Sequence, residues 1–261
     1  MNRPLWPGGE ILRDITRGGL AGLVVGIVVA GFGGRLVMRI AALLVPSANG
    51  AFTENGNRIG EITLAGSVAL IIFAGLAATI LLAVIWVVIA PWLPGKGVVR
   101  GLVAMPIAIA LGAFVLISAD NPDFVVLRHD PVVVLILLAL VAVTAPAMAV
   151  VDGWLDRRLP HAAAAASPAG ITYAVLALIG VALGSLLIIA AISGQGGTQL
   201  VGLTVLVAGL LTLAWWEERR AGRDTPSRGM RIAGRTILVV GTAVGYIALV
   251  PELAGALGIG E

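Results

Sequence analysis

The chain has 261 residues, of which 59% are hydrophobic and 12% are charged, and its mean hydropathy is +1.05. Soluble globular domains contain about 45–50% apolar residues, so this composition excludes an ordinary soluble fold and predicts an integral membrane protein. The absence of cysteine excludes disulfides, iron–sulfur clusters, covalently attached c-type haem and a thiol nucleophile. Lys96 is the only lysine, and the arginines lie mostly between apolar segments, which is typical of membrane topology rather than of nucleic-acid binding.

Seven apolar segments predict seven transmembrane helices in one all-α bundle. A spanning helix needs roughly 20 apolar residues, so the bundle uses the whole chain, residues 1–261, as a single integral membrane domain. The sixth segment is short and the first contains two arginines, so six spans plus an interfacial or re-entrant piece remain an alternative. The predicted spans are residues 18–45, 62–90, 98–118, 131–151, 171–192, 200–216 and 232–250.

The basic residues predict a cytoplasmic N-terminus and an extracytoplasmic C-terminus. Thirteen of them lie in the N-terminal flank and in the second, fourth and sixth loops, whereas only Arg58 and Arg128 lie in the other loops. Cytoplasmic loops of membrane proteins carry such an excess. All six tryptophans lie near the same predicted ends, where indole rings anchor at the level of the lipid headgroups. Arginine in place of lysine, with abundant Ala, Gly and Val, favours the cytoplasmic membrane of a bacterium.

Small residues recur at every fourth position of the first predicted span. They form one smooth helix face, and such a face lets membrane helices approach closely. We expect this face to pack inside the bundle, with homodimerisation through the first helix as the alternative. The face consists of Gly18, Gly22, Gly26, Ala30 and Gly34.

The second to seventh predicted spans contain no Asp, Glu, Lys or His near the bilayer midplane. Titratable groups inside a membrane mark proton relays and ion pathways, so this pattern disfavours a proton-coupled transporter, an ion pump or an intramembrane enzyme. The last span also lacks the lysine that a microbial rhodopsin needs. The chain contains no phosphate-binding loop, serine-hydrolase, zinc-protease or dinucleotide motif, and no cofactor is expected.

Arg35 and Arg39 are the charged exception within a span, and they share one face of the first helix. Arg17 and Arg35 are about 27 Å apart along a helix, close to the roughly 30 Å thickness of the hydrocarbon layer. Arg35 is therefore expected near the outer boundary. Three interpretations remain: both side chains reach the outer headgroups, they form a forked site for a phosphate or carboxylate, or they pair with loop carboxylates.

Polar residues of the first and third outer loops are expected to form an extracytoplasmic polar cap over the bundle. His129 beside Asp130 is the candidate for an acid–base pair. The aspartates of the third loop lack the spacing of a known metal-binding loop, so no metal site is predicted. The cap residues are Glu54, Asn55, Arg58, Glu61, Asp120, Asp123, His129 and Asp130.

These features favour a non-catalytic membrane component, such as a subunit or scaffold whose partners are the lipid bilayer and other membrane proteins. One alternative is a binder or transporter of an anionic small molecule or lipid headgroup that uses Arg35 and Arg39. A second alternative is an enzyme at the outer surface that uses Asp120, Asp123, His129 or Glu54. The six arginines between Arg219 and Arg235 are expected to attract anionic lipid at the cytoplasmic face.

Overall fold

The computed structural model describes residues 7–53, 56, 58–60, 64, 66, 68, 72, 75–161, 167–194 and 196–259. This part of the chain consists of helices and loops, with one isolated antiparallel bridge between Phe52 and Arg58. Six helices within it are long and apolar enough to cross a membrane. The prediction of an all-α, multi-pass membrane protein is therefore confirmed.

The first spanning helix is continuous from Gly8 to Leu44 and has 37 residues. It comprises α1 (Pro7–Val25), a π-helical segment (Gly26–Gly33) and α2 (Gly34–Leu44). A helix of this length measures about 55 Å, which exceeds the roughly 30 Å hydrocarbon layer. The helix thus begins about ten residues earlier than the sequence predicts, and its first turns carry charged side chains.

Four of the remaining helices begin after a residue whose side chain caps the N-terminus. The side chains of Asn121, Asp130, Ser167 and Ser227 each accept a hydrogen bond from a backbone N–H in the first turn that follows, which supplies an acceptor for donors that the helix itself leaves unpaired. The helices are α3 (Leu76–Ile89), α4 (Gly97–Gly112), α5 (Pro122–Val126), α6 (Pro131–Arg158), α7 (Pro168–Ser193), α8 (Gly196–Arg220) and α9 (Arg228–Ala256).

The second predicted span, residues 62–90, is described only in part. Its second half is α3, which continues as a 3₁₀ turn to Trp92, and Leu64, Gly66 and Val68 also have helical backbone. The apolar helix that the structure describes here, Leu76–Trp92, has fewer residues than the six spanning helices.

The bundle is organised around α1, which packs against α3, α6 and α7. Helix α4 packs on α6 and α9, and α8 packs on α7 and α9. The largest buried cluster includes Trp86, Trp92, Met148 and Trp215, so tryptophans occupy the core near one end of several helices. The outer surface remains apolar, and large side chains such as Leu178 on α7 are exposed. A soluble monomer rarely exposes so much contiguous apolar surface, whereas a bilayer solvates it.

The small-residue face of the first helix lies against α3 at three of its positions. A Cβ atom added to Gly22 would lie 2.8 Å from the carbonyl oxygen of Thr79, and one added to Gly26 would lie 2.6 Å from the carbonyl oxygen of Gly75. A Cβ on Gly18 would clash with Val87. These contacts lie within one chain. Two further members of the face, Ala30 and Gly34, are half-buried.

Candidate functional site

The N-terminal half of α1 carries a stripe of four charged residues. Glu10, Arg13, Asp14 and Arg17 follow the i, i+3, i+4, i+7 spacing that places side chains on one helix face. Within the helix, Arg17 lies 3.3 Å from Asp14 and Arg13 lies 4.0 Å from Glu10. Because this face packs into the bundle, its charges require partners on neighbouring helices.

The partners are two aspartates at the C-terminal end of α6. Asp152 and Asp156 are four residues apart and therefore share a face. Arg17 donates a hydrogen bond from Nε to Oδ1 of Asp152 at 2.7 Å, and its Nη1 bonds to Asp156. Arg13 donates from Nη1 to Oδ1 of Asp156 at 2.9 Å.

Arg13 also closes the C-terminal end of α6. Its Nη2 donates to the carbonyl oxygens of Asp156 and Leu159, and the side chain is only 4% exposed. The last carbonyl groups of a helix have no partner within the helix, and a cation near them is favoured by the helix dipole. Arg13 therefore fastens the beginning of α1 to the end of α6.

Helix α8 and the segment after α6 complete this charge network. Arg219 at the end of α8 donates from Nη1 to Oδ2 of Asp14 at 2.6 Å. His161 lies 2.8 Å from Glu10 through its Nδ1 atom, and the Tyr173 hydroxyl donates to the carbonyl oxygen of Pro160 at 2.8 Å. The charge network consists of Glu10, Arg13, Asp14, Arg17, Asp152, Asp156 and Arg219.

A cavity of about 150 Å³ lies beside the charge network, and we refer to it as the arginine cavity. Side chains from α1, α3, α4, α6 and α8 converge on it. Three arginines, two aspartates and three tryptophans give it a mixed charged and aromatic wall. It is lined by Asp14, Arg17, Trp86, Val87, Ala90, Pro91, Arg100, Asp152, Trp215, Trp216 and Arg219.

Arg100 differs from the other two arginines of the cavity. Arg17 and Arg219 are bonded to carboxylates, whereas Arg100 donates from Nε to the carbonyl oxygen of Gly95 at 3.3 Å and has no carboxylate within ion-pair distance among the described residues. The lining residues carry three guanidinium groups and two carboxylates, and Asp156, which also binds Arg17, lies beside them in the charge network. Trp86 is 3% exposed, and its indole Nε1 has no hydrogen-bond partner in the described part of the chain. This arrangement is suited to holding a small anion.

Arg35 and Arg39 lie elsewhere, on the second half of the first helix. Arg39 is exposed and donates from Nη1 to the carbonyl oxygen of Gly60 at 2.6 Å, whereas Arg35 is half-buried. Arg39 thus binds the backbone of the loop that follows the first helix. Neither residue lines the arginine cavity.

The predicted polar cap is described in part, because Glu54, Asn55 and Glu61 lie outside the described residues. Arg58 places its guanidinium 5.1 Å from the centroid of the Phe52 ring. Asp120 is exposed, and the backbone N–H of Asp123 donates to the Asn121 side chain.

His129 and Asp130 hydrogen-bond to different parts of the backbone. The carboxylate of Asp130 accepts from the N–H groups of Val132 and Val133 and so caps α6. The Nδ1 atom of His129 lies 3.1 Å from the carbonyl oxygen of Ala256, so it is the protonated donor in this contact. Across the ranges that the structure describes, no group of three His, Asp or Glu side chains is arranged to hold a metal.

Sequence reasoning missed the arginine cavity. The positions of Arg17, Arg100 and Arg219 in the sequence indicate orientation and membrane position, but they do not predict that the three residues meet in one cavity. The signal available in the sequence was the charged stripe of α1 together with two aspartates spaced i, i+4 at the end of a span. Spacing alone does not show that the charged stripe of α1 contacts the two aspartates of α6, because the two sets of residues are more than 130 positions apart.

Comparison with known protein families, curated proteins and solved structures finds no match to this chain.

Proposed function

We propose that this multi-pass membrane protein is a seven-span, non-catalytic component of a cytoplasmic membrane, with its N-terminus inside and its C-terminus outside. In this role it serves as a subunit or scaffold for other membrane proteins. The observation that carries the proposal is the charge distribution of the bundle, in which a network of ion pairs lies at one end while the sides of the helices present apolar residues.

The orientation is supported by the residues around the arginine cavity. Arg17, Arg100 and Arg219 all line the same cavity, and they lie at or next to the N-terminal flank, the second loop and the sixth loop that the sequence predicts. These are the segments in which basic residues are most abundant, and such segments remain in the cytoplasm. If the three segments lie on one side of the membrane, the chain crosses the membrane an even number of times between any two of them. The first helix supplies one crossing between Arg17 and Arg100, so residues 62–90 are proposed to supply the second.

The scaffold role is supported by the placement of the charges. The ion pairs of the network join α1, α6 and α8 near their ends, which fixes the relative positions of these helices. A rigid bundle with an apolar outer surface is suited to contact with lipid and with other spanning helices. The arginines from Arg219 to Arg235 are proposed to associate with anionic lipid at the same face.

Cysteine labelling tests the span count and the orientation. The chain has no cysteine, so Arg58→Cys and Lys96→Cys variants, both at exposed positions on either side of residues 62–90, give signals without background. A membrane-impermeant maleimide is expected to label Arg58→Cys in intact cells and Lys96→Cys only after permeabilisation. Labelling of both variants from the outside would show that residues 62–90 do not cross the membrane. Labelling of Lys96→Cys alone from the outside would show that the topology is the reverse of the one proposed.

Native mass spectrometry of the protein released from native-lipid nanodiscs tests the subunit role. A protein partner or a second copy at fixed stoichiometry is expected. Release of the chain as a monomer without bound protein would contradict the role of subunit.

A further inference from the structure

One arginine of the arginine cavity, Arg100, makes no ion pair with a carboxylate among the described residues. Asp14 and Asp152 are engaged by Arg219 and Arg17 at 2.6 and 2.7 Å, so the carboxylates are occupied by guanidinium donors. Arg100 remains without a carboxylate among the described residues, although it lines the same cavity. A bound cation would have to compete for occupied carboxylates, whereas an anion finds a donor group already in position.

The volume of the cavity suits a small oxyanion. A single water molecule needs about 10–15 Å³ of space accessible to its centre, so a cavity with about 150 Å³ of such space has room for a small oxyanion. Arg100, Trp216 and Arg219 are each partly exposed, so the cavity is accessible from the surface. The indole N–H of Trp86 in its wall is a further donor without an acceptor.

These features point to a specific chemistry. A guanidinium presents planar N–H donors that match the oxygens of a phosphate, and such contacts are stronger than neutral hydrogen bonds. Phosphate carries more charge and more acceptor oxygens than a carboxylate, so it is able to accept more than one N–H bond from the guanidinium of Arg100. Tryptophan rings like those in the wall are enriched at the level of the lipid headgroups.

We propose that the arginine cavity is a binding site for a phosphate group, carried by a lipid headgroup or free in solution, with Arg100 as its principal ligand. The site does not depend on the proposed orientation, because both leaflets of a membrane contain phosphate headgroups. Failure of the labelling experiment and failure of this proposal are therefore separate results.

The test uses the full-length protein in maltoside micelles, which contain no phosphate, with tryptophan fluorescence as the readout because Trp86, Trp215 and Trp216 line the cavity. One arm adds inorganic phosphate, with acetate as the control anion. The other arm adds phosphatidic acid to the micelles, with diacylglycerol as the matched lipid that lacks the phosphate. Saturation in the first arm alone identifies free phosphate as the ligand, and saturation in the second alone identifies a headgroup.

The decisive variant is Arg100→Gln, because Arg100 makes no ion pair within the described residues and its replacement leaves the charge network intact. Loss of one charge-assisted contact is expected to weaken binding about tenfold or more. Arg228→Gln removes an exposed arginine that does not line the cavity, and it is expected to change binding by less than about twofold.

The thermal stability of both variants, measured in the same micelles, is expected to match that of the wild type. The proposal is overturned if neither phosphate source binds, if acetate or diacylglycerol binds as well as its phosphate counterpart, or if Arg100→Gln binds as tightly as the wild type.

Discussion

Arg17 donates a hydrogen bond to Asp152 at 2.7 Å and thereby joins two helices through residues that lie 135 positions apart in the chain. The side chains are 17% and 9% exposed, so most of the contact is shielded from water. A buried charge that loses its partner is uncompensated, and its cost exceeds that of a lost surface pair. The packing of α1 on α6 therefore depends on this contact.

Replacement of Arg17 by Gln is expected to lower the free energy of unfolding by about 3 kcal/mol or more, because Asp152 is left buried without its main partner. Unfolding in mixed micelles of detergent and SDS measures the change. The control is Arg220→Gln, whose partner Glu217 is 68% exposed, and its expected effect is below about 0.5 kcal/mol. Equal effects of the two variants would show that the network does not stabilise the fold.

Gly22→Ala is expected to destabilise the bundle by about 1–3 kcal/mol, because the added methyl group would meet the backbone of α3 at Thr79 and force the two helices apart. The same unfolding assay applies. Gly19→Ala is the matched control, since a Cβ at Gly19 has no neighbour within 4 Å. It is expected to be neutral or to stabilise the helix by up to about 1 kcal/mol. A neutral Gly22→Ala variant would contradict the close approach of α1 to α3.

Thr212→Val is expected to destabilise the protein by about 1–3 kcal/mol, which is the cost of leaving a buried donor unpaired. The indole of Trp92 donates to the Thr212 hydroxyl at 3.0 Å, and the two residues are 2% and 1% exposed. Thr172→Val removes an exposed hydroxyl that bonds to its own helix at Pro168, and only a small change is expected. The near-ultraviolet circular dichroism of the tryptophans, recorded during unfolding, distinguishes the two variants.

Glu252→Ala is expected to accelerate hydrogen–deuterium exchange at the amide of Ala119. The carboxylate of Glu252 accepts a hydrogen bond from this amide at 2.7 Å and connects α9 to the segment after α4. Mass spectrometry of peptides that cover Ala119 follows the exchange. Asp120→Asn serves as the control, because the exposed Asp120 side chain is not the acceptor for this amide. Unchanged exchange in Glu252→Ala would show that the contact does not protect the amide in solution.

Composition and hydrophobic length predicted the helical class and the positions of the long helices well. The helix boundaries differ most at the N-terminus, where the charged residues between Glu10 and Arg17 looked like a flank but form the first turns of α1. Their side chains are stabilised by ion pairs with distant helices, and no local pattern in the sequence identifies those partners. The anion-site prediction at Arg35 and Arg39 stays a prediction.

The sequence by itself determined that the chain is a bundle of membrane helices, because the free energy of placing long apolar segments in lipid is set by the composition, length and residue order of each segment. Only the tertiary structure decided which charged side chains meet. The rotation and packing of each helix bring Arg17 to Asp152 and Arg219 to Asp14, while Arg100 is left in a cavity beside them without a carboxylate among the described residues. Such contacts follow from the relative placement of several helices, which is set by close packing throughout the bundle.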